Sequence, residues 1–239
     1  MRKTVFLIAS AALMLGACHY SAAADTGPAI HRGYQVASFT GLEVAGPYEV
    51  NVHTGPAPSV QASGSEKALD QMTVEVKDGT LQIGSVRHGG FHWGWSHHGQ
   101  VVLDVTVPAL EAASIAGSGE INVDRVNGAR FKGDVAGSGD LKLAAVDAGD
   151  VELSIAGSGG VHAAGKAKNV KYDIAGSGDI DASGLAAETA AISIAGSGGV
   201  KGHATGTANV SIMGSGDVEM TGGAKCSISK AGSGDVRCS

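Results

Sequence analysis

Large rings are scarce in this chain. Phe, Trp and Tyr make up 4% of its 239 residues, which excludes a core built on aromatic packing. No run of basic residues occurs after Lys3, so nucleic acid and an anionic membrane face are not expected partners. Cysteine is limited to three residues with no C-x-x-C pair, which removes the usual dithiol redox motif. The one apolar run, Val5 to Leu15, is too short for an ordinary membrane span. Glycine is abundant instead, with 38 residues. In an aperiodic chain that balance would mean disorder. Here the glycines are phased with Ile and Val, the mark of a repeat architecture with a core of small β-branched residues.

The apolar run follows Arg2 and Lys3 and leads into small residues, the layout of an export signal. Two cleavage readings stand side by side. Leu15-Gly16-Ala17-Cys18 resembles a bacterial lipobox, which would make Cys18 the lipidated first residue of residues 18–239 and remove residues 1–17. Ala22-Ala23-Ala24 before Asp25 fits ordinary cleavage of a signal over residues 1–24. In the lipoprotein reading His19, not being Asp, points to outer-membrane sorting, with the lipid anchor holding the protein to the membrane. Either reading takes the protein out of the cytoplasm. Of 17 basic residues, losing Arg2 and Lys3 leaves 15 against 23 acidic ones, a net charge of −8.

Both readings also leave Cys226 and Cys238 as an even pair in a compartment that permits disulfides. They are expected to bond.

A Gly-Ser-Gly triplet begins at Gly117, Gly137, Gly157, Gly176, Gly196, Gly214 and Gly232. The period of about 18–20 residues is that of one turn of a β-solenoid. Two positions before the first glycine stand Ile115, Val135, Ile155, Ile174, Ile194 and Ile212, then Lys230. Four after it stand Ile121, Leu141, Val161, Ile180, Val200, Val218 and Val236. Neighbouring columns alternate with a step of two, which belongs to strands. The fold class read from this pattern is all-β, a stack of parallel coils with strand, corner, strand, and a variable polar and glycine-containing third side. Each buried aliphatic side chain contributes roughly 1.5–3 kcal/mol toward the ordering entropy of the chain.

Glycine at the corner supplies backbone angles closed to other residues. Serine in all seven copies, Ser118 to Ser233, can hydrogen-bond locally or to the next coil. A catalytic serine is needed once, and the spacing matches neither G-x-S-x-G nor G-x-G-x-x-G. After the triplet comes an acidic column, Glu120, Asp140, Asp179, Asp217 and Asp235, interrupted by Gly160 and Gly199. A cation such as Ca²⁺ could use it, but Asp after Gly at a turn commonly caps its own backbone. In the last coil Lys230 replaces the aliphatic residue and Cys226 and Cys238 flank it, as expected of an end cap stapled by a disulfide.

The first half lacks the triplet but alternates in Tyr48–Val52, Thr73–Val76 and Val102–Val107. Turn signals stand at Gly55-Pro56-Ala57-Pro58 and Asp78-Gly79, and a short helical turn is expected within Ser65–Met72. The expected organisation is a linker over residues 25–32 and one domain over 33–239, with the seven-coil repeat region over 111–239. The run Phe39-Thr40-Gly41-Leu42-Glu43-Val44, then Val76-Lys77-Asp78-Gly79-Thr80-Leu81-Gln82-Ile83, then Val105-Thr106-Val107-Pro108-Ala109-Leu110 leading into Ile115-Ala116-Gly117-Ser118-Gly119-Glu120, resembles the bacterial head GIN domain family of auto-transporter adhesins. The likeness implies a right-handed parallel β-helix on exported bacterial proteins, often lipoproteins. It brings no site residues with it.

Between the strands ending near Val86 and starting near Val101 lies the least solenoid-like chemistry. His88, His92, His97 and His98 could gather Zn²⁺, Cu²⁺ or Ni²⁺. Trp93 and Trp95 could offer flat faces to a sugar or a protein. The bland alternative is a hairpin extension packed on the solenoid flank. The function expected from the whole is a non-enzymatic cell-envelope protein, an adhesin or interaction scaffold for a surface protein or polysaccharide, with homo-oligomers open. The rivals are a metal- or carbohydrate-binding protein using the loop over residues 87–99, and a polysaccharide-active enzyme, which would need acids converging in one groove.

Overall fold

The computed structural model describes residues 28–86 and 100–239. In the first half, strands β1 (Ile30–Tyr34), β2 (Gly41–Ala45), β3 (Glu49–Thr54) and β4 (Ser59–Gly64) precede a one-turn helix, α1 (Glu66–Asp70). Strands β5 (Met72–Lys77), β6 (Thr80–Ser85), β7 (Val102–Val107), β8 (Ala112–Gly117) and β9 (Glu120–Val123) follow. The helix starts where a cap allows it, since the Ser65 hydroxyl accepts a hydrogen bond from the Ala68 amide at 3.3 Å. Asp78 and Gly79 both take positive φ, as the tight hairpin between β5 and β6 requires. The stretch expected as a linker is already strand from Ile30, where β1 pairs antiparallel with β4.

In the repeat region β10 (Val126–Gly137) runs from the third side to the next triplet, and β11 (Asp140–Gly157), β12 (Gly160–Gly176), β13 (Asp179–Gly196) and β14 (Gly199–Gly214) each run round the coil from one triplet to the next. The final coil is made of β15 (Asp217–Thr221), β16 (Lys225–Gly232) and β17 (Val236–Cys238). Successive coils pair in parallel with the triplets in register, Gly137 on Gly157, Gly157 on Gly176 and Gly176 on Gly196. The protein is a β-solenoid. Both aliphatic columns are buried from Ile115 to Ile212 and from Ile121 to Val218. They continue into the first half, where Val44 lies between Ile83 and Ile115, and Val50 between Leu103 and Ile121.

The first half therefore extends the stack, but not in chain order. β2 pairs with both β6 and β8, and β3 with both β7 and β9. The coil formed by residues 41–54 is thus inserted between two coils that come later in the chain.

The triplet has two structural causes. The first glycine of every copy has φ between 120° and 138°, a region that L side chains rarely adopt. From Gly137 to Gly232, an added Cβ would also run into the carbonyl oxygen of the glycine one coil earlier. The serines use their backbone amides for stacking, as in Ser158 N to Gly137 O at 2.8 Å, and their side chains face outward at the exposed corner.

The third side differs from the polar edge expected. It too is strand, and it buries Val126, Val146, Ala148, Leu185, Ala187 and Ala204. Register shifts between Leu143 and Val146 and between Ala182 and Ala186 absorb the variation in coil length there. A further inward column, Leu153, Tyr172, Ile192 and Val210, packs four residues before the triplet. Large and small residues compensate inside it. A Cβ on Gly133 would lie 2.6 Å from Leu141 Cδ2, and the Tyr172 ring fills space beside Gly202.

Candidate functional site

Cys18, His88, His92, His97, His98, Trp93 and Trp95 lie outside the described residues. Cys226 and Cys238 are bonded, with an S–S distance of 2.04 Å, and the bond joins β16 to β17 in the last coil. The described residues contain no group of three or more His, Cys, Asp or Glu able to hold a metal ion.

The strand that follows the triplet carries the most developed outer surface. Its second outward position forms a ladder in strict register: Asn51, Asn122, Lys142, His162, Asp181, Lys201, Glu219 and Arg237. Strand alternation puts these side chains outward, since from Asn51 to Glu219 the positions on either side of each one are buried, and Arg237 continues the column in the last coil. Two depressions, of about 490 and 550 Å³, lie along the ladder. Both are lined by His162 and Asp181, so they form one shallow groove parallel to the solenoid axis.

The acidic column borders this groove, and its role differs from the self-capping expected. Asp179 Oδ1 accepts from the amide of Gly199 at 2.8 Å, and Asp217 Oδ1 from the amide of Asp235 at 2.8 Å. Each caps the backbone of the next coil rather than its own. The Gly160 and Gly199 gaps make room, since a Cβ at either would lie within 2.8 Å of the preceding aspartate's Oδ1.

Glu120 pairs with Lys142 at 2.9 Å, and this hydrogen bond, followed by one from Asn122, holds its carboxyl below the usual range. Asp181 accepts from the Ser183 hydroxyl at 2.7 Å. That bond is the main reason its pKa is also lowered, and the nearby His162 and Lys201 contribute less. At the far end His53 Nδ1 stands 3.5 Å from Asp124 Oδ2. Both groove carboxylates with shifted acidity are thus held ionised. A general acid working near neutral pH needs the opposite shift. What the groove offers chemically is a row of fixed charges and amides at coil spacing.

The ladder was not singled out from the sequence. Its signal is the fifth residue after each leading glycine, and mixed signs hide it from any search for a conserved chemistry of one kind.

The family model described as "Putative auto-transporter adhesin, head GIN domain" matches residues 38–224. The chain belongs to the head GIN domain family. Among solved structures, the chain is similar to a "putative adhesin" from Bacteroides fragilis NCTC 9343, with a TM-score of 0.80 and 21% identity over 89% of this chain and 98% of that one. It is similar as well to a "putative lipid binding protein" from Parabacteroides distasonis ATCC 8503, with a TM-score of 0.70 and 23% identity over 89% and 97% of the two chains. A "putative adhesin" from Parabacteroides merdae ATCC 43184 has a TM-score of 0.72 and 19% identity over 89% and 97%. At these identities the likeness shows the fold. The search of curated proteins found no match. Family membership goes with a cell-envelope or surface protein, and no helix among the described residues is long and apolar enough to cross a membrane.

Proposed function

We propose that the protein is a non-enzymatic envelope scaffold whose groove, from Asn51 to Arg237, contacts a surface protein or polysaccharide. The observation that carries this reading is the unbroken register of the outward ladder, which fixes polar and charged groups at a ~4.8 Å repeat along a rigid axis. Family membership and the lowered pKa values of Glu120 and Asp181 support it. The export signal would deliver the scaffold outside the cytoplasm, and a lipid on Cys18 would tether it to the outer membrane.

The test is binding of the fluorescently labelled mature protein to a panel of bacterial envelope polysaccharides and to intact cells. A variant with His162, Lys201 and Glu219 all changed to alanine is compared with one altered at Lys132 and Lys171, exposed on the strand that precedes the triplet. Binding lost only in the groove variant supports the proposal. Equal binding by all three proteins rejects the groove as the contact.

A second reading rests on four histidines within the segment over residues 87–99. It makes the protein a binder of divalent transition metals or, through Trp93 and Trp95, of sugars. Calorimetric titration of Zn²⁺ into wild type and a four-His→Ala variant decides the metal case, since equal heats end it.

A further inference from the structure

The C-terminal half of the groove has a property that its individual residues do not show. Asp181, Lys201, Glu219 and Arg237 occupy four consecutive rungs, alternating in sign, and adjacent members are register partners. Elsewhere on the solenoid, comparable neighbours close ion pairs. Glu152 and Lys171, also register partners, meet at 3.1 Å, and Lys171 reaches Asp173 as well. Among the described residues, Lys201, Glu219 and Arg237 make no ion pair within 4 Å, and all three are exposed.

We infer that this ladder is a self-complementary dimer surface whose occupant is a second copy of the same chain, laid face to face with its coil order reversed. The charges select both the direction and the register. A two-fold axis along the strand direction places Asp181 against Arg237 of the second copy and Lys201 against Glu219 of the second copy. Symmetry repeats both pairs, so all four rungs meet an opposite charge.

Running the two copies parallel in register would set like on like at every rung. Sliding the reversed copy by one rung, about 4.8 Å, places Lys201 against itself or Glu219 against itself. Every other pair formed among these four rungs is then also of like sign. Only one arrangement satisfies all four rungs, and like-charge contact penalises its nearest neighbours.

The bordering acids oppose the contact, because Asp179 faces Asp235 of the second copy. They are short, however, and Asp179 is folded back onto the Gly199 amide. The longer Lys201, Glu219 and Arg237 hold the two faces apart, and charges beyond about 8 Å are largely screened at physiological salt. A four-rung overlap spans only about 14 Å along the axis. It is therefore smaller than the standard interface of about 1,600 Å². The dimer belongs to the weak, salt-sensitive class that forms at high local concentration.

The experiment is sedimentation velocity of the mature protein over a rising concentration series at low and high salt, with circular dichroism confirming that each variant is folded. The wild type is expected to self-associate reversibly and to dissociate as salt rises. K201E alone, or E219K alone, should weaken association by about tenfold or more. The K201E/E219K double swap, which leaves net charge unchanged, should restore it, and so should an equimolar mixture of the two single variants. K168E, on the third side, should leave it unaltered. A wild type that stays monomeric to its solubility limit overturns the inference. So does association indifferent to K201E, or single variants that neither the double swap nor mixing rescues.

Discussion

The carboxylate of Asp179 accepts a 2.8 Å hydrogen bond from the backbone amide of Gly199, twenty residues further along the chain and one coil further along the solenoid. The contact ties a side chain at one corner to the main chain of the next, so it stabilises stacking rather than a local turn. Its neighbours in the column are Gly160 and Gly199, so removing the charge relieves no repulsion within the column. Asp217 makes the same bond to Asp235 but also stands beside that residue's carboxylate. Acids about 5 Å apart repel by about 0.8 kcal/mol in water. Asp179→Ala is therefore expected to cost about 0.5–1.5 kcal/mol, and Asp217→Ala less. Urea unfolding midpoints check the order, and a larger loss for Asp217→Ala would contradict it.

Within a single triplet, two adjacent residues should respond very differently to the same substitution. Gly196 has φ of 138°, and an added Cβ would meet the Gly176 carbonyl oxygen. Gly196→Ala is expected to destabilise by at least about 2–3 kcal/mol. Ser197 points its side chain outward at the exposed corner, so Ser197→Ala should stay within about 0.5 kcal/mol of wild type. Thermal melts of the two variants measure the contrast directly. A large loss for Ser197→Ala would assign the serine column a role beyond stacking.

Much of the architecture was legible because identical backbone constraints recur at identical phase. The columns of Ile115 and Ile121 could be read directly, as could the end pair Cys226 and Cys238. The inward column of Leu153 was not, since Gly133 and Tyr172 break its apolar character, and only stacking shows that one leaves space which neighbours fill. The buried Val126 and Leu185 of the third side were hidden by register shifts that destroy the period. The insertion of β2 and β3 between later coils could not be read at all. Without a triplet nothing local chooses a strand's partner. The groove was missed for a related reason, because Lys142, His162 and Asp181 share a position but not a chemistry.

Acidification should weaken the fold through particular carboxylates. Glu120 and Asp181 have folded-state pKa values below their ordinary ones, through hydrogen bonds from Lys142 and from Ser183 respectively. Depressed carboxyls stabilise the fold fully above the unfolded-state value. That contribution is lost as pH falls through the folded-state value. The urea midpoint should therefore hold steady at neutral pH and fall between about pH 5 and pH 3. Lys142→Met removes the main partner of Glu120 and should make the decline shallower. An unchanged pH profile in that variant would mean that the pair contributes nothing to acid sensitivity.

Reduction should loosen one end rather than the whole stack. The Cys226–Cys238 bond closes a loop of sequence separation 12 within the last coil, where β16 pairs with β14 and β17 with β15. Loop closure of this size corresponds to about 3 kcal/mol in the chain-entropy account. Since only the final coil is cross-linked, amides of residues 225–239 should exchange faster after treatment with a phosphine reductant. Those of β11 to β13 should be unaffected. Hydrogen exchange with mass spectrometry resolves the two regions, and uniform acceleration would show that the solenoid unfolds as one unit from this end.

Lys230 should prove to be the residue that keeps the open end from adding strands. It occupies the position held by Ile212 in the preceding coil, is exposed, and donates from Nζ to the Gly234 carbonyl oxygen at 2.5 Å. Among the described residues no coil packs beyond β16 and β17, and Ile228 is already 50% exposed. An unpaired edge with apolar side chains is a template for another chain, and a lysine at such an edge opposes pairing because its charge would have to be buried. Lys230→Ile would continue the aliphatic column to the very end and remove that charge. The variant is expected to fold, since the position is exposed, and to scatter light increasingly with concentration. Lys230→Glu also loses the bond to Gly234 but keeps a charge at the edge, and should remain as dispersed as wild type. Light scattering of the three proteins side by side separates loss of the hydrogen bond from loss of the charge. A dispersed Lys230→Ile would mean that the disulfide alone protects the end.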